Sequence, residues 1–255
     1  MTADDADARP RGSVPAGTAQ RPPARSRPER LSRSLVVKAA VAFVDANGLA
    51  DLTMRRLGSV LRVQAMSLYA HVPSREDLLD GMVESVVDEL YGDPQVYLEP
   101  RGDWEDYLQR LAYGVRRIAF AHPQLFPLVS TRPSAAPWVR PPLRSLRWMD
   151  SFLKGLTTSG FTDEDAAAVY RAFTSFLLGH LLLDVAAMDV DTSAVADSSA
   201  GMPAGAGVAE PANPLAGYPV LQRMQVHLSE DHSAREFDQS LSNLLSRLRD
   251  ARAAG

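Results

Sequence analysis

The stretch Thr53 to Arg75, TMRRLGSVLRVQAMSLYAHVPSR, restricts the fold more than any other part of the chain. Thr53 is suited to cap a helix, because its hydroxyl accepts from an otherwise unpaired backbone N–H. Leu57, Val60 and Leu61 then recur at helical spacing. Arg62-Val63 interrupts the pattern, and Ala65 to His71 resumes it with Leu68 facing inward. Two helices of about two turns each, joined by a tight turn, make a helix-turn-helix. Leu57, Leu61, Val63, Leu68 and Val72 are its expected core. Arg55, Arg56, Arg62 and Arg75 lie in the stretch, which contains no Asp or Glu, although the whole chain carries a formal charge of -4. A locally positive element in an acidic chain points to a polyanionic partner for that element.

Further helices follow on either side. Ser32 is expected to cap a helix to about Ala46, with Leu35, Val36, Ala39, Ala40, Phe43 and Val44 as its apolar stripe, ended by Asn47-Gly48. Val72-Pro73 stops the second helix of the pair, and Ser74 caps a helix to about Tyr91 that buries Leu78, Leu79, Met82, Val86 and Leu90. Beyond two chain breaks, Asp103 caps a helix from Trp104 to about Ala121, ended by His122-Pro123. A short helix is expected near Leu125 to Val129, then a Pro-rich connector from Arg132 to Pro142. Longer helices run from about Leu143 to Ser159 and, capped by Thr162, from Asp163 to about Met188. Two more close the chain, near Pro219 to Leu228 and Ser233 to Ala251. No strand pattern and no repeat occurs, so the expected fold class is all-α.

The segments L-T-M-R-R-L, V-Q-A-M-S-L-Y-A-H-V and S-R-E-D-L-L resemble the DNA-binding domain of the tetracycline-repressor (TetR) family of transcriptional regulators. The likeness is strong over residues 31 to 90 and extends to the rest in layout only. A small residue, commonly Gly, usually occupies the turn in that family, whereas this chain has Arg62. Composition marks 1–30 as a disordered basic arm and 191–217 as a mobile loop, and the resemblance implies a helix-turn-helix head with its linker helix over 31–91 and an effector-binding and dimerisation body over 92–255. Between residues 8 and 34, Arg9, Arg11, Arg21, Arg25, Arg27, Arg30 and Arg33 face only Glu29, and the arm reads as a solubilising tail or an additional DNA contact.

Carried over by motif, Arg55, Gln64, Ala65 and Met66 would meet base edges in the major groove of a double-stranded operator. Arg suits guanine, Gln suits adenine, and a small apolar side chain suits a thymine methyl. Thr53, Ser67, Tyr69, His71 and Arg75 would hold phosphates and fix register. Arg56 reads equally as a solvated charge. The resemblance also implies a homodimer built on helices 163–188 and 233–251. Phe237, Leu241, Leu244, Leu245 and Leu248 form an apolar stripe that suits intramolecular burial or a dimer, with the dimer favoured.

A small hydrophobic or aromatic effector is implied in the body, with Trp104, Tyr107, His122, Phe126, Trp148, Phe152, Tyr170, Phe173 and His180 as candidate lining residues. Phe120, Trp138 and Phe176 belong to the same aromatic set, and core packing explains any one of them as well. Tetracycline repressors bind drug as a magnesium chelate through a His three residues before a Thr-Arg-Pro run. Thr131-Arg132-Pro133 is present, but Leu128 stands at the ligand position. No metal and no cofactor is therefore expected, and His227 and His232 miss the helical pairing of metal sites.

The chain contains no Cys, which excludes disulfides and thiolate chemistry and fits a reducing cytosol. No secretory h-region is seen in residues 1 to 30, and the tract Ala172 to Leu183 is too short to span a bilayer, so no membrane partner is expected and the expected location is cytoplasmic. No G-x-S-x-G, Gly-rich phosphate loop or linked nucleophile set argues for an enzyme. The remaining alternative is an architectural DNA-binding dimer without an effector.

Overall fold

Side-chain caps fix where most helices begin. The computed structural model describes residues 30–96, 103–132, 138–139, 145–188 and 217–254. Among these, Ser32, Thr53, Ser74, Asp103, Ser145 and Thr162 each accept a hydrogen bond from a backbone N–H of the following turn. The helices are α1 (Arg33–Asn47), α2 (Met54–Leu61), α3 (Ala65–Tyr69), α4 (Arg75–Gly92), α5 (Trp104–Ala121), α6 (Phe126–Thr131), α7 (Leu146–Thr158), α8 (Asp163–Ala186), α9 (Pro219–Ser229) and α10 (Ser233–Ala254). No strand occurs among the described residues. The expected arm over 1–30, the Arg132 to Pro142 connector and the loop over 191–217 lie outside them, apart from Arg30, Arg132, Trp138, Val139 and Gly217.

Several boundaries differ from expectation for local reasons. α3 ends at Tyr69, two residues before His71, because Pro73 disfavours helical backbone at Val72 and the chain tightens there. His71 N–H and Val72 N–H both donate to Leu68 O, at 2.9 Å. α7 begins at Leu146, because the Ser145 hydroxyl accepts from Trp148 N–H. α8 stops at Ala186, short of Met188.

α1 packs against both α2 and α4, so its buried face is Val36, Val37, Ala40, Val41 and Val44. Leu35, Ala39 and Phe43, expected in the stripe, are only half-buried. In the helix pair Leu57, Leu68 and Val72 are fully buried, while Leu61 and Val63 are half-buried and Val60 is 55% exposed. A helix as short as α2 presents little more than one inward residue per turn.

α8 is the hub of the remaining helices and touches α5, α6, α7 and α10. It alone among the described helices is long and apolar enough to cross a membrane by length and composition. Its Val169, Phe173, Leu177, Leu181 and Val185 are buried within the fold. α10 packs on α5 and α8, and its Phe237, Leu241, Leu244 and Leu245 are buried within the monomer. The dimer assignment of that stripe is therefore corrected: the stripe is intramolecular core, and only Leu248 remains half-exposed. α9 buries none of its residues.

Candidate nucleic-acid interface and effector cavity

The α2–α3 turn depends on two residues. Arg62 adopts left-handed backbone (φ 57°, ψ 38°), the only non-glycine among the described residues with positive φ. The conformation costs an L-residue about 1–2 kcal/mol, and it lets Arg62 N–H donate to Ser59 O and Val63 N–H to Gly58 O. Gly58 supplies the close approach: a Cβ there would lie 2.9 Å from Val63 O and 3.3 Å from Ala65 N.

This turn sets α3 with Leu68 anchored inward and Met66 75% and Tyr69 41% exposed. Thr53, Arg55, Gln64, Ser67 and Arg75 are exposed as well, and Ala65 and His71 are half-buried. Thr53 Oγ1 accepts from Arg56 N–H, which leaves its own proton available to donate. The Gln64 side chain makes no cap hydrogen bond, and Arg55 has no ion pair among the described residues. Arg56 differs, being ion-paired with Asp51 and bonded to Asp51 O.

α4 ties these helices to the rest. On one side, Arg33 Nη2 donates to Asp77 Oδ1 at 2.9 Å, and a Cβ at Gly81 would lie 3.0 Å from Val37 Cγ2, so α1 and α4 approach closely. On the other, Arg132 at the end of α6 donates through Nε to Asp80 Oδ1 at 2.7 Å and through Nη2 to Glu76 Oε2 at 2.6 Å. His122, at the end of α5, forms a third link: Nδ1 is 2.8 Å from Asp45 Oδ2 on α1, and Nε2 is 3.2 Å from Glu89 Oε2 on α4. Burial pushes the His122 pKa down, but hydrogen bonding and charge from Asp45 and Glu89 outweigh it and leave the pKa raised.

The same α4 forms one wall of a cavity of about 40 Å³. Val87 and Leu90 come from α4, Val115 and Ile118 from α5, and Phe126 and Val129 from α6. Ser145, Trp148 on α7, and Thr174, Leu177 and Leu178 on α8 also line it, with no charged side chain among the described residues. Trp148 and Thr174 are 4% and 2% exposed, and neither Trp148 Nε1 nor Thr174 Oγ1 has a hydrogen-bond partner among the described residues. Each such orphan costs about 1–3 kcal/mol until something bonds it.

Of the aromatic residues and histidines expected to line a ligand site, Phe126 and Trp148 stand on this wall. Phe152 stacks behind Trp148 (centroids 5.1 Å) and meets Phe173 and Tyr170 at 5.6 and 5.8 Å and Tyr107 at 6.4 Å, forming packed core. Burial pushes the Tyr170 phenol up to about 12. Trp104 meets Phe161 edge-on, and His122 belongs to the α1–α4–α5 link. His180 lies between Phe176 and Phe237, 3.8 Å from Asp184. The aliphatic wall and Thr174 escaped a reading that followed aromatic side chains; the available signal was a lone Thr at a core-facing position of the most apolar helix. No group of three metal-ligating side chains occurs among the described residues, and Leu128 is buried on α6.

A sequence model described as the tetracyclin repressor-like C-terminal domain matches residues 97–251. An HTH-type transcriptional regulator of Saccharopolyspora erythraea is 31% identical over 160 residues, 60% of this chain and 64% of that protein, so the match falls short of two thirds of its length. The class E tetracycline repressor protein of Escherichia coli is 26% identical over 67% of this chain and 76% of its own. Among solved structures, a possible TetR family transcriptional regulator of Streptomyces coelicolor A3(2) aligns with TM-score 0.63 and 27% identity over 86% of this chain and all (100%) of that one. The S. coelicolor protein ActR, solved in complex with actinorhodin, shares the fold (TM-score 0.62, 24% identity, 88% of this chain and 99% of that one).

Proposed function

The chain belongs to the tetracycline-repressor family of transcriptional regulators, and on that footing we propose that it is a homodimeric repressor released from a palindromic operator by a small hydrophobic ligand. The observation that carries the reading is the double role of α4, which holds α1 through Arg33–Asp77 and Gly81 and walls the apolar cavity with Val87 and Leu90. α3 enters the major groove. Arg55, Gln64, Ala65 and Met66 read bases, and Thr53, Ser67, Tyr69, His71 and Arg75 fix phosphates. Arg56, paired with Asp51, contributes charge rather than readout.

A drug-sized molecule fills about 300–1,000 Å³, far more than the cavity of about 40 Å³. Binding therefore requires the walls to part, and α4 is the wall that also carries the head. Its displacement moves the two recognition helices of a dimer off their spacing of about 34–36 Å. Such a ligand acts only through its preference for the displaced state; tenfold in operator affinity takes about 1.4 kcal/mol of coupling. The S. coelicolor complex with actinorhodin supports the cavity reading by analogy of fold.

Selection of duplexes from a random pool on the full chain tests the DNA half. Recovered sites carry inverted half-sites one helical turn apart, bound by a dimer about a thousandfold more tightly than scrambled DNA at physiological salt. A monomer on a single half-site, or equal affinity for scrambled DNA, refutes the reading.

A further inference from the structure

Trp148 Nε1 and Thr174 Oγ1 are the feature of the cavity that packing does not explain. An apolar wall needs neither group: Val would fill the place of Thr174, and Phe would keep an aromatic face at position 148. Each is buried and lines the apolar cavity that α4 walls, and each lacks a hydrogen-bond partner among the described residues. The third polar member, Ser145, is already engaged, since its hydroxyl accepts from Trp148 N–H at the start of α7.

Indole N–H is a donor only, and a threonine hydroxyl has one proton to give. A ligand that satisfies both must offer an acceptor oxygen, and it must offer it without charge. Among the described residues no Lys, Arg, His, Asp or Glu lines the cavity, so an ionised ligand would be stripped of water with no counter-charge from them.

We propose that the effector class is an uncharged, largely apolar ring molecule bearing a carbonyl- or ether-type oxygen, which Trp148 Nε1–H and Thr174 Oγ1–H recognise as donors inside the cavity. This rests on the reading of that cavity as the effector site. It adds a chemical filter to it: a pure hydrocarbon of the same shape enters but leaves both donors unpaired, and a carboxylate is excluded.

The test is calorimetric titration of the full chain with matched two-ring probes: benzophenone against diphenylmethane, 9-fluorenone against fluorene, and diphenylacetate as the charged analogue. The ketones bind about tenfold more tightly than their hydrocarbons, and diphenylacetate binds at least tenfold more weakly than benzophenone. Thr174→Val, which is isosteric, weakens the ketones and leaves the hydrocarbon affinities as they were; in the double variant W148F/T174V, whose smaller ring widens the cavity for ketone and hydrocarbon alike, the ratio of their affinities falls to about one. Hydrocarbons and ketones of equal affinity, or a ketone preference that survives in the double variant, overturn the donor assignment and leave the cavity reading intact. Diphenylacetate binding as tightly as benzophenone overturns the requirement for an uncharged ligand. Failure of every probe to bind overturns both the proposal and the cavity reading.

Discussion

Replacing Arg132 by Ala removes the strut between α6 and α4. The guanidinium is 14% exposed and donates to Asp80, itself 18% exposed, at 2.7 Å, and to Glu76, 67% exposed, at 2.6 Å. Burial lowers the Arg132 pKa, but its hydrogen bonds to Asp80 and Glu76 prevail and raise it, so the group is charged at every working pH. The partly buried Asp80 bond, charged at both ends, is worth about 1.5–3 kcal/mol. The Glu76 bond reaches solvent and adds about 0.2–1 kcal/mol. Arg132→Ala should therefore destabilise the fold by about 2–4 kcal/mol, read by urea denaturation with an unchanged slope against denaturant. Double-mutant cycles divide the effect: coupling of about 1.5–3 kcal/mol with Asp80→Ala and below about 1 kcal/mol with Glu76→Ala. A Glu76 coupling as large as that of Asp80, or a single variant within about 0.5 kcal/mol of wild type, would refute burial as the source of the strut's strength.

His122 links α1, α4 and α5 through Asp45 and Glu89, and its folded pKa lies above the ordinary 6.5. The stability it contributes is fully present below pH 6.5 and is lost as pH rises through the raised folded value. Stability of wild type relative to His122→Gln, followed from about pH 5.5 to about pH 8.5, should decline with pH; a difference that grows with pH contradicts the assignment. Gly155→Ala forces a Cβ to within 2.7 Å of the Tyr107 ring, an overpacking cost of about 1–3 kcal/mol that thermal denaturation measures; an unchanged midpoint means α5 and α7 separate freely. Arg55→Ala should relax discrimination at one base pair per half-site by about 1–3 kcal/mol, while Tyr69→Ala weakens specific and random DNA alike. Equal loss on both DNAs for Arg55→Ala removes it from the base readers.

Most element boundaries were legible because they are written in caps and breakers. Ser32, Thr53, Ser74, Asp103 and Thr162 declare helix starts by residue type, and each does accept the expected backbone N–H. The left-handed turn at Arg62 was legible as the place where Gly is usual. Which side of a helix is buried was less legible, because it depends on neighbours distant in sequence. α1 turned Val37 and Val41 inward once α2 and α4 packed on it, and the α10 stripe closed on α5 and α8 within the monomer. The cavity was least legible. Aromatic residues attract attention in a sequence, but Phe152, Tyr170 and Phe173 satisfy one another as core, and most of the wall is aliphatic. His122 likewise read as a polar group needing a partner, and its partners Asp45 and Glu89 lie 77 and 33 residues away.

The central claim is that a molecule in the cavity controls DNA affinity through α4. It is tested most directly by titrating the selected operator with the 255-residue chain, with and without a saturating binder found by thermal-shift screening of hydrophobic compounds. Operator affinity should fall at least about tenfold, equivalent to about 1.4 kcal/mol of coupling, while the dimer persists. Identical affinities at saturation would contradict the account and leave a DNA-binding dimer whose body only assembles it.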